Sequence, residues 1–359
     1  MEVTRIERWS SWSMLLVCVC VVGCRRAEVP EFVASSAVNE LAPELKSAVQ
    51  AELVKQSGSF LRPKMLPLPD EQHGDLARGQ AVYQERCVQC HGVSGDGNGP
   101  SAKFMYPRPR DYRKGMFKFS STPYGYRPMR EDLLRTVRQG IRGTSMPGFN
   151  LLPDADQKAV VEYVVALSRR GELEEQLVGL ADAEGALEAE LVETEAIATV
   201  VGRWSDAEGA EVLPASQQPK LTSEHVERGK KAFLTKGCSK CHGEDGRGQT
   251  AENRFNDAWG NPTRAADLTS GMLHGGNRPV DIYRRIYNGI SGTPMPGFAN
   301  ALREEPETMW DLVAYVLSVS SQRRQGVIPV PGTIRPYVSA VAAPGGAAPG
   351  LAAPGEVQP

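Results

Sequence analysis

Several features are missing from this 359-residue chain. It has no charge excess: 41 basic and 43 acidic residues leave a formal net charge of −2, so the basic footprint of a nucleic-acid binder is absent. It has no cysteine to spare for a disulfide framework. All seven fall into three groups: Cys18, Cys20 and Cys24 near the N-terminus, Cys87 with Cys90, and Cys238 with Cys241. The apolar run at residues 14–23 falls short of the roughly 20 residues that span a bilayer. Glycine and proline are plentiful instead, 36 and 26 residues, which predicts long irregular loops around short helices.

What is present is a string that occurs twice, Cys87-Val88-Gln89-Cys90-His91 and Cys238-Ser239-Lys240-Cys241-His242. C-x-x-C-H is the attachment pattern of a c-type haem. On a helical turn, residues three and four apart share a face, so both thiols can form thioethers to the vinyl groups of one haem. The adjoining histidine, His91 or His242, then lies under the iron as its proximal ligand. A zinc ribbon would need its C-x-x-C pairs about 15–20 residues apart, whereas Cys90 and Cys238 lie 148 positions apart. A dithiol redox motif has no need of the histidine. Two covalently bound haem c groups per chain are expected.

A six-coordinate iron takes a second ligand, and a second repeated string supplies it. Gly143-Thr144-Ser145-Met146-Pro147-Gly148-Phe149 matches Gly292-Thr293-Pro294-Met295-Pro296-Gly297-Phe298. Proline has no N–H and fixes its own φ, which stiffens a turn able to hold the thioether sulfur of Met146 or Met295 over the iron. Met105, Met116, Met129, Met272 and Met309 lack this context and read as packing. Three histidines are rival ligands. His73 and His225 precede the first helix of each unit and read as surface residues. His274 sits in a glycine-rich loop beside the second motif and has no counterpart in the first unit.

The order of features repeats as well. A helix leads into each C-x-x-C-H string, a glycine-closed helix lies midway, and an amphipathic helix ends each unit, at residues 156–170 and 307–320. The two motifs are 151 positions apart, the middle helices and methionines 149, and Tyr163 and Tyr315 152. Such constancy indicates two copies of one domain. The organisation expected is a signal peptide at 1–23, a tether at 24–70 with a short helix at 44–55, and a first domain at 71–170. A linker follows at 171–220, a second domain at 221–322, and a disordered Pro-, Gly- and Ala-rich tail at 323–359. Residues 171–211 hold twelve acids against one base, Arg203. They read either as a helix laid against the domains with Trp204 as an anchor, or as a solvated connector.

These residues resemble the class I cytochrome c family. The resemblance rests on Cys87, Cys90, His91 and Met146 in one unit and Cys238, Cys241, His242 and Met295 in the other. It implies an all-α fold, here two tandem cytochrome c-like domains joined by the acidic helical linker. In each domain the first and last helices should cross with the haem in a cleft. Gly79 with Tyr83, and Gly229 with Phe233, look like the crossing positions on the first helix, with Tyr163 and Tyr315 as partners on the last. The first domain departs from the family by an insertion at residues 101–126. The stretch 72–143 around it carries thirteen bases against six acids. These bases could pair with haem propionates (Arg108 and Arg110 being the candidates), steer an acidic redox partner, or pair with the acidic linker.

Arg5 and Arg8 followed by the apolar run read as a secretion signal. The ending Val21-Val22-Gly23-Cys24 is similar to a bacterial lipobox, in which the cysteine is lipidated as the first mature residue. A plain signal peptide or an uncleaved anchor are the alternatives. Arg25, where an aspartate would argue for inner-membrane retention, favours the outer membrane. The expectation is a membrane-tethered dihaem cytochrome c on the periplasmic face of a bacterial membrane. It would carry single electrons between redox proteins or to a membrane respiratory complex, rather than act as an enzyme. A dihaem c-type peroxidase and a fixed subunit of a larger membrane oxidoreductase are the alternatives.

Overall fold

The structure, a computed structural model, describes residues 30–322 apart from 67, 69 and 70. The expected signal segment, Cys24 and the tail at 323–359 lie outside the described residues. Helices α1 (Ser36–Glu40) and α2 (Pro43–Ser57) lead into a minimal hairpin, β1 (Gly58–Ser59) against β2 (Arg62–Pro63). Then come α3 (Leu76–Arg86), the motif turn α4 (Val88–His91), a long loop, α5 (Arg130–Gln139) and α6 (Asp154–Glu184). The chain returns through α7 (Ala189–Leu191), a π-helical turn at Val192–Ile197 and α8 (Ala198–Ser205). The second set is α9 (Ser223–Thr235), α10 (Ser239–His242), β3 (Phe255–Asn256) paired with β4 (Pro262–Thr263), α11 (Pro279–Asn288) and α12 (Glu307–Ser321). The all-α class is as expected, the strands being two-residue pairs.

In each domain the first helix crosses the last. Glycine makes the approach possible: a Cβ on Gly79 would overlap the Ala159 carbonyl oxygen, and one on Gly229 would overlap that of Asp311. One turn on, the rings of Tyr83 and Tyr163 meet at 5.2 Å between centroids, and those of Phe233 and Tyr315 at 5.0 Å. Apolar residues at helical spacing on α6 (Val160, Val161, Val164, Val165, Leu167) and α12 (Met309, Leu312, Val313, Val316) are all buried. That burial against α3 and α9 drives the crossing.

Two boundaries differ from the sequence expectation. The stretch assigned to a tether is folded from Ser36 onward: Val38, Val49, Leu53 and Phe60 are buried in the same core as α6. Helix α6 does not end at Arg170 but runs on to Glu184, fourteen residues into the expected linker. The acidic stretch then turns back onto the first domain, of the two readings the one with Trp204 as anchor. The Trp204 indole donates to Glu172 at 2.9 Å, and Leu173, Leu177, Val200 and Trp204 join the first core. Glu172 is fully buried and is neutralised by Arg127. Nearby, burial works to raise the Glu71 carboxyl, but hydrogen bonds from Arg169, the Leu68 N–H and Arg130 outweigh it and hold it at about 2.

The basic insertion of the first domain lies against the second. Arg285 on α11 donates to the Lys118 carbonyl at 2.9 Å and to that of Ser120, and Asn288 donates to that of Thr122 at 2.8 Å. The Val212 N–H donates to the Ser121 carbonyl at 2.8 Å. Arg135 and Asp281 face each other across the same seam at 3.6 Å.

Candidate functional site

Each motif sits on one short helical turn that caps the preceding helix. In the first domain the Cys87 N–H donates to the Tyr83 carbonyl at 2.8 Å, carrying α3 straight into α4. The loop beyond doubles back: Gly97 N–H donates to the His91 carbonyl at 3.0 Å, and Gly248 N–H to that of His242 at 2.7 Å. All four motif cysteines are half-buried, and none is paired in a disulfide. Burial pushes Cys87 up to about 12 and Cys238 up to about 11, so in the polypeptide alone both stay protonated. Among the described residues no group of three or more His, Cys, Asp or Glu side chains gathers as a metal site.

The two histidines are held alike. Nδ1 of His91 lies 3.2 Å from the Arg110 carbonyl oxygen, and Nδ1 of His242 lies 3.1 Å from that of Ala266. A carbonyl only accepts, so the contact selects the Nδ1–H tautomer and leaves the Nε2 lone pair for an iron. Burial lowers the His91 pKa to about 4 and lowers that of His242 as well, which favours the neutral form a ligand needs. His91 also stacks on Tyr112, 4.7 Å between centroids.

The methionine turns repeat bond for bond. Ile141 N–H donates to the Met146 carbonyl at 3.0 Å, and Ile290 N–H to that of Met295 at 3.1 Å. Met146 N–H reaches the Thr144 hydroxyl at 3.2 Å, and Met295 N–H that of Thr293 at 3.3 Å. Gly140 and Gly289, at φ +65° and +72°, close α5 and α11 in the left-handed region that favours glycine. A Cβ on either would stand 2.5 Å from the methionine carbonyl oxygen of its domain. The turn therefore needs both a positive φ and a missing side chain where it folds back on its helix.

In the first domain these pieces converge. Cys87, Cys90, His91 and Met146 line one cavity of about 320 Å³, within the range of ligand pockets at about 300–1,000 Å³. Its walls include Leu133, Phe149, Val160 and Val164, with Arg108, Arg110 and Lys118 at the polar side. Two thiols, one imidazole and one thioether around an apolar chamber with cationic residues fit a haem and its two propionates. In the second domain His242 and Met295 occupy the equivalent frames. There the indole N–H of Trp259, packed on the methionine turn, is buried without an acceptor among the described residues, and a propionate would supply one.

The rival histidines separate. His73 is exposed, and His225 accepts from Thr222 N–H at the start of α9. His274, expected beside the second motif, instead lines the first domain's cavity. Arg108 and Arg110 both line it, although the Arg110 guanidinium turns over Trp259 of the second domain, 3.9 Å from the ring centroid. Tyr112 and Trp259 carry no repeated pattern and were not singled out by the sequence. In the fold Tyr112 takes the place of Leu268, its N–H donating to the Gly95 carbonyl as that of Leu268 does to Gly246, but the unequal spacing leaves no signal of this in the sequence.

Comparison with known proteins agrees with this geometry. Residues 74–164 match the family described as cytochrome C oxidase, cbb3-type, subunit III, and residues 226–320 match the cytochrome c family. A chain of the reducing HAO-like protein complex of Kuenenia stuttgartiensis is 30% identical at a TM-score of 0.53. That match covers 67% of this chain and 95% of the other. With a cytochrome c domain on each side of the acidic stretch, both built to hold covalently bound haem c, this chain belongs to the cytochrome c family as a tandem electron-transfer cytochrome.

Proposed function

We propose that this chain carries two haem c groups and moves single electrons between redox proteins outside the cytoplasm, tethered by lipid at Cys24 to the periplasmic face of a bacterial membrane. Cys87 and Cys90 hold the first haem between His91 and Met146. Cys238 and Cys241 hold the second between His242 and Met295. The observation that carries the reading is the convergence of Cys87, Cys90, His91 and Met146 on one cavity. A haem iron supplies a one-electron couple, and Met/His ligation raises its potential. A histidine and a methionine in each domain would leave a bound haem iron no open position, which favours an electron carrier over a peroxidase. The chain acts as a fixed partner within a larger oxidoreductase rather than as a free shuttle. Support for that choice is its similarity, across nearly the full length of the relative, to a chain of a two-component complex.

The pyridine haemochrome of purified protein should give two haems per chain, both retained on a denaturing gel stained for haem; one or none would sink the assignment. Anchoring has its own test. Cys24→Ser should release the protein from washed membranes or block its processing, whereas a correctly cleaved Cys24→Ser protein still held by membranes would exclude the lipid tether.

A further inference from the structure

The second domain reaches into the cavity of the first. His274 stands on the loop before α11, yet it lines the same chamber as His91 and Met146. Its Nε2 lies 3.3 Å from where a Cβ on Gly143 would be, and Gly143 opens the turn that carries Met146. On its other side is a cleft of about 770 Å³ between the domains. His274, Phe119, Thr136 and Ile141 line both the cavity and the cleft, so they form the partition between them. The loop is pinned there: Gly275 packs on Phe119 and Arg285, and Arg285 is fastened to the Lys118 and Ser120 carbonyls.

The exchange also runs the other way. Arg110 of the first domain lies over Trp259, and Trp259 packs on Gly292, which opens the turn that carries Met295. The Ala258 N–H donates to the Gly292 carbonyl at 3.0 Å and fixes that contact. Arg110 Nη1 itself stands 3.3 Å from a Cβ on Gly292. Gly143 and Gly292 are equivalent positions of the repeat. The same point of each methionine turn is therefore touched by a polar side chain from the opposite domain.

Resting on the haem reading above, we propose that each haem site is completed by the other domain, with His274 as a positioning residue for the first haem and Arg110 for the second. His274 keeps the water of the cleft from the methionine side of the first site. Arg110 seats Trp259 and holds a positive charge beside the second. Both effects favour the less charged, ferrous iron, because burial and the charge around the ligands set a haem's potential. Neither effect could be assigned from one domain alone.

The test is a potentiometric titration of the full chain. Its two waves are assigned with Met146→His and Met295→His, each of which should lower one wave. His274→Ala should lower the wave of the first haem by about tenfold in its reduction equilibrium, about 59 mV, and leave the second in place. His274→Gln should restore most of that loss. His274→Leu, which fills the volume and excludes the water, should hold the wave near its parent value; should the alanine variant fail to fold, His274→Ser leaves the same space open to water and carries its expectation. Arg110→Gln, or Arg110→Met in its place, should lower the second wave by a similar amount. A purely structural role for either side chain would lower stability without moving the opposite domain's potential. If His274→Ala spares the first wave, or Arg110→Gln spares the second, the exchange between domains is wrong. Fewer than two haems per chain in the parent protein would count against the haem reading itself, before any wave is compared.

Discussion

Gly79→Val is expected to leave the first domain unfolded. The Cβ of any residue at 79 would overlap the Ala159 carbonyl oxygen and stand 3.0 Å from Tyr163 Cβ. A flexible side chain could yield to that contact, but a carbonyl within α6 cannot. The two helices would have to separate, and the Tyr83–Tyr163 packing and the buried valines of α6 would separate with them. Ordinary overpacking costs about 1–3 kcal/mol. A clash with backbone at the crossing belongs to the exceptional class above about 4 kcal/mol, against a total of about 5–15 kcal/mol for a domain. Gly229→Val should do the same to the second domain through Asp311 and Tyr315. Gly179→Ala is the control: it lies on α6 with nothing within 4 Å of an added Cβ, and should stabilise by about 0.5–1 kcal/mol. Thermal melts followed by far-ultraviolet circular dichroism decide it. A Gly79→Val protein melting at the parent temperature would show that the crossing tolerates a side chain.

Those glycines were legible because the chemistry of the repeat is local. C-x-x-C-H lies within one turn, Thr-x-Met-Pro within another, and the stripe of Val160, Val161 and Val164 follows a single helical period. Each can be read without knowing what it packs against. The run of α6 past Arg170 was not legible in the same way. A string of acids after an apolar helix looks like a solvated face. Glu172 is buried only because Arg127, forty-five positions away, and Trp204, thirty-two away, both reach its carboxylate. The core position of Val38, Val49 and Phe60 likewise depends on a partner face on α6 that no local pattern announces.

The insertion at 101–126 shows a second kind of opacity. The bases in and around it suggested haem propionates, an acidic redox partner or the acidic linker, and Arg127 does pair with Glu172 of that acidic stretch. Much of what holds it in place is its backbone: the carbonyls of Lys118, Ser120 and Thr122 accept from Arg285 and Asn288 of the second domain, and that of Ser121 accepts from the Val212 N–H of the linker. Main-chain acceptors are present at every position of every sequence, so which of them will be used cannot be read from side-chain type. The placement of His274 follows from that seam. Its loop is carried to the first domain by Arg285, and nothing in the glycine-rich sequence around it points away from its own motif.

Replacing the methionines tests the ligand assignment most severely. In each domain the turn is tied by its methionine carbonyl to the residue after the closing glycine, and by the methionine N–H to a threonine hydroxyl. A stiff turn of this kind would hold the thioether at a haem iron and keep small molecules from it. Oxidised parent protein should show the weak near-infrared band of sulfur bound to iron. Met146→Ala and Met295→Ala should each remove about half of it, and each should lower one midpoint within the span of about 0.8 V that axial ligands command. Peroxide consumption should be negligible in the parent, both fully oxidised and after one-electron reduction, because turnover needs an iron position that the methionine fills. It should appear when either methionine is removed. Steady turnover by half-reduced parent protein at enzyme-like rates, about 1–10³ per second, would overturn the carrier assignment, and the Met295 turn would be the first place to look for a displaced ligand. A band that survives the double substitution would show that another side chain binds the iron. In the first domain that search begins with His274 and Met105, which share the cavity with His91 and Met146.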